Sequence, residues 1–238
     1  MVADSLQGET VLVVGRGSGI ARAIVGSAAA AGAHVVAAGR DRDALATAYK
    51  DTGVSVKSVD MTDETSIAAL ADEVGGVHHV VSTASARARG AVRDLTPEAI
   101  LLSFHTKVVG PIMLAKHFAP KMPRTGSFVL FSGVAALEPD PGYLGVAATN
   151  GSVNVVVRSL AVELAPLRVN AISPGTVDTG AWDGLGEKKD AFLATKSATN
   201  PARRIGTPED IAHAVLFAMT NTFMTGVTLA VDGGQPLV

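Results

Sequence analysis

The sequence predicts one α/β domain framed by a doubly wound, seven-stranded parallel sheet with helices on both faces. Three observations lead there. Short apolar runs alternate with helical patterns along nearly the whole chain, and a βαβα alternation winds helices over both faces of a parallel sheet. Most of those runs are apolar nearly throughout, as strands covered on both sides are. At 238 residues the chain fits one large domain of this class. Hydrophobic residues make up 47% and aromatics only 4%, so Ala, Val, Leu and Ile must build the core.

Strands are expected at Thr10–Val14, Ala33–Ala38, Val54–Val59, Val77–Ser82, Ser127–Ser132, Arg168–Ile172 and Thr228–Val231, bounded by Gly, Asp, Ser or Pro. Helices fall between them, near 18–31, 41–51, 63–74, 97–119, 143–165 and 207–219. The stretch from Thr176 to Gly206 differs in character. It is rich in Gly, Lys, Asp and Thr, holds the only Trp (Trp182) and has weak periodicity. A segment here, about 178–205, is expected to serve as a lid over a site at the carboxyl ends of the strands; a disordered surface insertion is the plainer alternative.

Composition excludes several classes. The formal net charge is −2 with no long run of one sign, which argues against a nucleic-acid or anionic-membrane partner. No cysteine is present, so disulfides, thiolate metal sites and Cys nucleophiles are out. No His/Asp/Glu spacing resembles a metal centre; His78, His79 and His105 read as scattered residues. The start, Met1-Val2-Ala3-Asp4-Ser5, lacks the basic and apolar regions of a signal peptide. Apolar stretches fall short of the roughly 18 residues a membrane span needs. The expectation is a soluble cytoplasmic protein acting on a small molecule.

Val11-Leu12-Val13-Val14 runs directly into Gly15-Arg16-Gly17-Ser18-Gly19-Ile20-Ala21 and an Ala-rich helix. Strand, glycine turn and helix in this order form a Rossmann-type dinucleotide site, where backbone N–H groups approach the pyrophosphate at the helix N-terminus. Glycines also punctuate ordinary turns, so the context carries the reading. An acid at the end of the second strand would bind an NAD ribose. Here Gly39 stands at that place, followed by Arg40, and Arg16 lies in the turn itself. Two guanidinium groups aimed at one ribose suit a 2′-phosphate. The expected cofactor is NADP(H); two ordinary surface arginines are the alternative.

With these motifs the chain resembles the short-chain dehydrogenase/reductase family nearly end to end. Asp60-Met61 after the third strand matches the family's adenine contact. Leu160 to Pro166, Arg168 to Gly175, Gly206 to Ala212 and Thr225-Gly226…Asp232-Gly233-Gly234 are specific to it. The resemblance implies a strand order of 3-2-1-4-5-6-7. It also implies a homotetramer, or a homodimer, built through the two long helices and the C-terminus. The cofactor contacts it implies fall on Gly15, Arg16, Ser18, Gly19, Ile20, Arg40, Asp60, Met61, Thr83, Ala84, Ser85, Lys107, Asn150, Pro174, Gly175 and Val177.

The family's chemistry rests on a Tyr, a Lys four residues later, a Ser and an Asn. Counting back from Arg158–Leu164 places Asn150 at the Lys position, Val146 at the Tyr position and Gly133 at the Ser position, with Ser132 just before it. The Asn position becomes Lys107, and the N-A-G segment reads Thr83-Ala84-Ser85. The Lys and the Asn thus look exchanged between two helices. Asn150 shares an apolar helix face with Val146, Val153 and Val157, and Lys107 shares one with Ile100, Pro111 and Leu114. Lys107, Asn150, Ser132 and Tyr143 are the candidate catalytic residues; Tyr143 lies seven residues before Asn150 rather than four. An NADPH-dependent reductase of C=O or C=N with a non-standard proton source is the leading expectation. A silent NADP-binding protein and a non-redox enzyme on the same scaffold stay open beside it.

Overall fold

The structure is a computed structural model that describes residues 5–138 and 140–238. The Met1–Asp4 part of the start, read above for a leader, lies outside the described residues. Seven strands form one sheet: β1 (Thr10–Val14), β2 (His34–Gly39), β3 (Ser55–Ser58), β4 (His79–Ser82), β5 (Ser127–Phe131), β6 (Arg168–Pro174) and β7 (Thr228–Val231). Their order is β3-β2-β1-β4-β5-β6-β7, and every pairing is parallel. This is the order the resemblance implies.

Among the described residues, eight α-helices accompany them: α1 (Gly19–Ala30), α2 (Arg42–Ala48), α3 (Glu64–Val74), α4 (Pro97–Phe104), α5 (Gly110–Phe118), α6 (Leu144–Glu163), α7 (Lys189–Thr199) and α8 (Pro208–Thr220). Val11, Val13 and Ile172 turn to one face, where Ile24, Leu45, Ile211 and Val215 cover them. Leu12, Val14 and Leu130 turn to the other, against Ile67, Leu70, Leu114, Phe118, Val153 and Val157. The five inner strands, β2, β1, β4, β5 and β6, feed both cores because successive side chains alternate across the sheet. β1 and β4 are neighbours while their connections run to opposite sides, so a crevice opens at their carboxyl ends.

Two sequence expectations need correction. The Thr176–Gly206 stretch holds a helix, α7, preceded by a 3-10 turn at Asp183–Lys188. None of α7's residues is fully buried, so it has no core-facing stripe and left no periodicity to read. The second correction concerns length and apolarity. The helical run Pro97–Lys121 is long and apolar enough, by those measures alone, to cross a membrane. In the fold its Gly110, Pro111, Leu114, Ala115 and Phe118 are buried in the domain.

Candidate active site

The cleft's cofactor end is built where β1 meets α1. Glycine is required at both sides of this junction. A Cβ on Gly15 would lie 2.2 Å from Thr83 Oγ1, and one on Gly39 would lie 2.5 Å from the Gly15 carbonyl oxygen. The ends of β1, β2 and β4 therefore interlock. A side chain at position 39 does not fit without moving the Gly15 backbone.

Side-chain capping is uneven among the helices, and α1 shares its lack of a cap bond with α5, α6 and α7. Asp41, Asp63, Thr96 and Thr207 accept hydrogen bonds from first-turn amides of α2, α3, α4 and α8. Ser18, at the N-cap of α1, makes no such bond. The α1 first-turn amides lack that cap, and the helix dipole adds a partial positive charge. Such an end suits a pyrophosphate. Among the described residues, Arg93 and Arg204 are the arginines in ion pairs; Arg16 and Arg40 are exposed, and Arg40 is near enough to favour the charged Asp60 carboxylate. Asp60 accepts from the N–H and the hydroxyl of Thr62 at 2.8 and 2.7 Å. These bonds, the hydroxyl's first, hold its carboxyl below the usual range. Met61 beside it is buried. These groups fit a dinucleotide.

The reaction end is built from α6, the end of β5 and the helix junction before α5. Between α4 and α5, residues His105–Val109 wind as a π-turn. Such insertions inside helices occur frequently at functional sites. Lys107 sits in it, buried with 9% of its surface exposed. Its Nζ donates to Asn150 Oδ1 and, at 3.0 Å, to the Ser132 carbonyl. Asn150 is 3% exposed, and its Nδ2 donates to the Gly133 carbonyl at 3.2 Å. The two residues read as exchanged between helices are thus in direct contact. Burial, and then the Arg87 guanidinium, push the Lys107 ammonium down to about 7.

A family model described as enoyl-(acyl carrier protein) reductase matches residues 14–235. The chain belongs to the short-chain dehydrogenase/reductase family. It is 31% identical to human dehydrogenase/reductase SDR family member 4, over 98% of this chain and 89% of the relative. The solved MalC reductase/Diels-Alderase from Malbranchea aurantiaca superposes with a TM-score of 0.92 at 30% identity, over the full length of both chains. A small-chain dehydrogenase solved in complex with NADPH gives a TM-score of 0.84 at 30% identity, over 97% and 99% of the two chains.

Among short-chain dehydrogenases/reductases this member's remaining candidates separate by position. Ser132 is 4% exposed and its hydroxyl donates to the Asn150 carbonyl at 2.9 Å. That bond ties α6 to the end of β5. Tyr143 stands at the N-cap of α6, with the Arg89 guanidinium 4.7 Å from its ring centroid. Arg89 also lies 5.5 Å from the Trp182 ring, and Trp182 packs on Phe192 of α7. Thr83 accompanies β1 through two bonds to the Val14 carbonyl, and Ala84 and Ser85 follow it. Past Pro174, Gly175 donates to Val231, and Val177 is bridged to Gly206. The 178–205 segment begins beside the glycine turn, since a Cβ on Gly19 would meet Thr179 at 3.0 Å.

Sequence reading missed Arg87 and Arg89. The signal was present as two arginines alternating with alanines directly after β4, in Ala86-Arg87-Ala88-Arg89. It also missed why position 133 is glycine. A Cβ there would lie 2.8 Å from Asn150 Nδ2. Gly133→Ser is therefore expected to push the Asn150 amide off its two partners. Thermal or urea unfolding should register a loss of about 1–3 kcal/mol, the range for overpacking a filled site, together with reduced turnover.

Proposed function

We propose that the protein is an NADPH-dependent reductase of a C=O or C=N group in which Lys107 supplies the proton. The observation that carries this reading is the buried Lys107 ammonium, bonded to Asn150 and set close to neutral pH. General acids work best with a pKa near the operating pH.

The Gly15–Ile20 turn, with Ser18, Gly19 and Ile20, would hold the pyrophosphate, and Arg16 with Arg40 the 2′-phosphate. Asp60 and Met61 would take the adenine. Thr83, Ala84, Ser85, Pro174, Gly175 and Val177 would flank the nicotinamide half, where Lys107 and Asn150 face its ribose. The NADPH bound to one solved relative agrees with this assignment. When bound, the reduced nicotinamide supplies the hydride. As the substrate carbon accepts it, negative charge develops on oxygen. Two Lys107 protons are engaged by Asn150 and Ser132; the third passes to that oxygen, directly or through one water, and the neutral amine regains a proton from solvent. A protonated C=N is already electrophilic and leans less on a tyrosine, so a site with Val146 at the Tyr position suits imines and activated ketones. Residues 178–205 act as the lid, with Trp182 closing against Arg89 and Tyr143.

Stopped-flow measurement of NADPH oxidation across ketones, diketones and imines tests the reading. Turnover of at least one class is expected. Complete inertness with tight NADPH binding would replace it with a binding protein.

The same proposal extends to assembly. Leu101, Leu102 and Val109 on the α4–α5 run, Val155 and Val162 on α6, and Leu237 and Val238 at the C-terminus are exposed, Val162 to 80%. Apolar residues on these elements fit the homo-oligomer, a tetramer, that the family builds there. Val155→Glu with Val162→Glu is expected to reduce the particle mass in light scattering by at least half.

A further inference from the structure

We infer that Arg87 and Arg89 form a recognition site for a carboxylate on the substrate, so that the molecule reduced is an oxo acid. The inference rests on the reductase reading of this same site and narrows its substrate class.

The loop that carries the two arginines is fixed at several points. Thr83 is bonded to Val14, Ser103 Oγ donates to the Ala86 carbonyl at 2.7 Å, and the Gly90 N–H donates to the Gly142 carbonyl at 3.0 Å. Ala88 is buried and packs against Gly145 at the start of α6. With Ala86 and Ala88 anchored, Arg87 and Arg89 project from a rigid frame and remain exposed. Arg89 is stacked on Tyr143 from α6 and Trp182 from the 178–205 segment. This places it on the substrate side of the cleft. Arg87 is close enough to Lys107 to disfavour its charge, and Arg89 and Arg16 act on Arg87 in the same way after partial burial does. Positive groups thus converge on the reaction end.

No acid among the described residues forms an ion pair or hydrogen bond with Arg87 or Arg89. Three acids on the flanking loops are engaged elsewhere: Glu138 meets Lys196 and Gln235, and Asp178 and Asp183 meet Lys189. Like charges held together repel, and an anion delivered by the ligand relieves that repulsion. A planar guanidinium fork matches a carboxylate in bidentate fashion. Arg16 and Arg40 already serve the phosphate end on β1 and β2, whereas this pair lies on the β4 loop beside Tyr143.

The test measures kcat/KM with NADPH for pyruvate, acetoacetate and levulinate, each against its own methyl ester, in the wild type and in Arg87→Met and Arg89→Met. One oxo acid is expected to exceed its ester by about tenfold or more, in line with charge-assisted hydrogen bonds. Each Met variant should bring that ratio to about one with the NADPH Kd unchanged, and Arg89→Lys should keep part of it. Calorimetry of the corresponding hydroxy acids binding to the NADPH complex gives a readout that needs no turnover. Hydroxy acids that bind the wild type but not the Met variants, without turnover of any carbonyl compound, would retain the anion site and remove the reductase reading. Esters used as well as acids would overturn the inference. So would NADPH affinity lost in the Met variants, preference for dihydroxyacetone phosphate, or acids that neither react nor bind.

Discussion

Lys107→Met is expected to lower kcat for reduction by about two to four orders of magnitude, the usual range for losing a general acid. Methionine keeps most of the side chain's length and its apolar stem in this buried position, so the fold is expected to survive. Two buried acceptors, Asn150 Oδ1 and the Ser132 carbonyl, lose a donor, which costs about 1–3 kcal/mol each when unmet. Against this stands the relief of a buried charge. Folded Lys107 titrates at about 7 instead of 10.5. Between those values the unfolded chain binds the proton and the folded chain does not, so Lys107 makes stability rise with pH across that window. Below about 7 the ammonium is charged in both states and its burial penalty is fully present. Denaturant titrations at stepped pH should show this rise in the wild type and lose it in Lys107→Met. A variant that keeps wild-type kcat would remove Lys107 from the chemistry.

Arg16→Ala combined with Arg40→Ala is expected to weaken NADPH binding by about two orders of magnitude or more while changing NADH affinity little. Each guanidinium hydrogen bond to a phosphate is worth roughly 1.5–3 kcal/mol, and NADH has no 2′-phosphate to lose. Both side chains are exposed and form no ion pair among the described residues, so the fold should not suffer. Isothermal calorimetry with both cofactors reads the change directly. If the wild type binds NADH more tightly than NADPH, the assignment of the 2′-phosphate fails. Restoring an acid at Gly39 is not a clean converse experiment, because a Cβ there meets the Gly15 carbonyl.

The sheet was legible because its strands are buried on both faces and punctuated by turn residues, and α1 announced itself through the glycine turn. Strand ends moved by at most a few residues, as at β3, where Val54–Val59 became Ser55–Ser58. Helix α7 was hidden because it lies on the surface without a buried stripe. At the site, counting against the family's motifs brought Lys107 and Asn150 to one place, and the two side chains are in contact. Spacing carried no information about hydrogen-bond direction. Ser132 lies beside the expected serine position, and its hydroxyl donates to α6. The π-turn around Lys107 was equally silent, because one inserted residue leaves composition unchanged. Arg87 and Arg89 belong to a loop, where no periodicity points to a shared target.

The central claim is that a lysine moved to another helix does the acid's work in this short-chain dehydrogenase/reductase. The most direct measurement is the pH dependence of kcat/KM for reduction, which reports the free protein's essential acid. Lys107 must carry its proton to donate it, and Arg87 is the charged neighbour that presses on it. The account predicts a plateau below about pH 7, a tenfold fall per pH unit above it, and no such limb in Lys107→Met. A wild-type profile that stays flat from about pH 6 to about pH 9, or the same limb in both proteins, would contradict it.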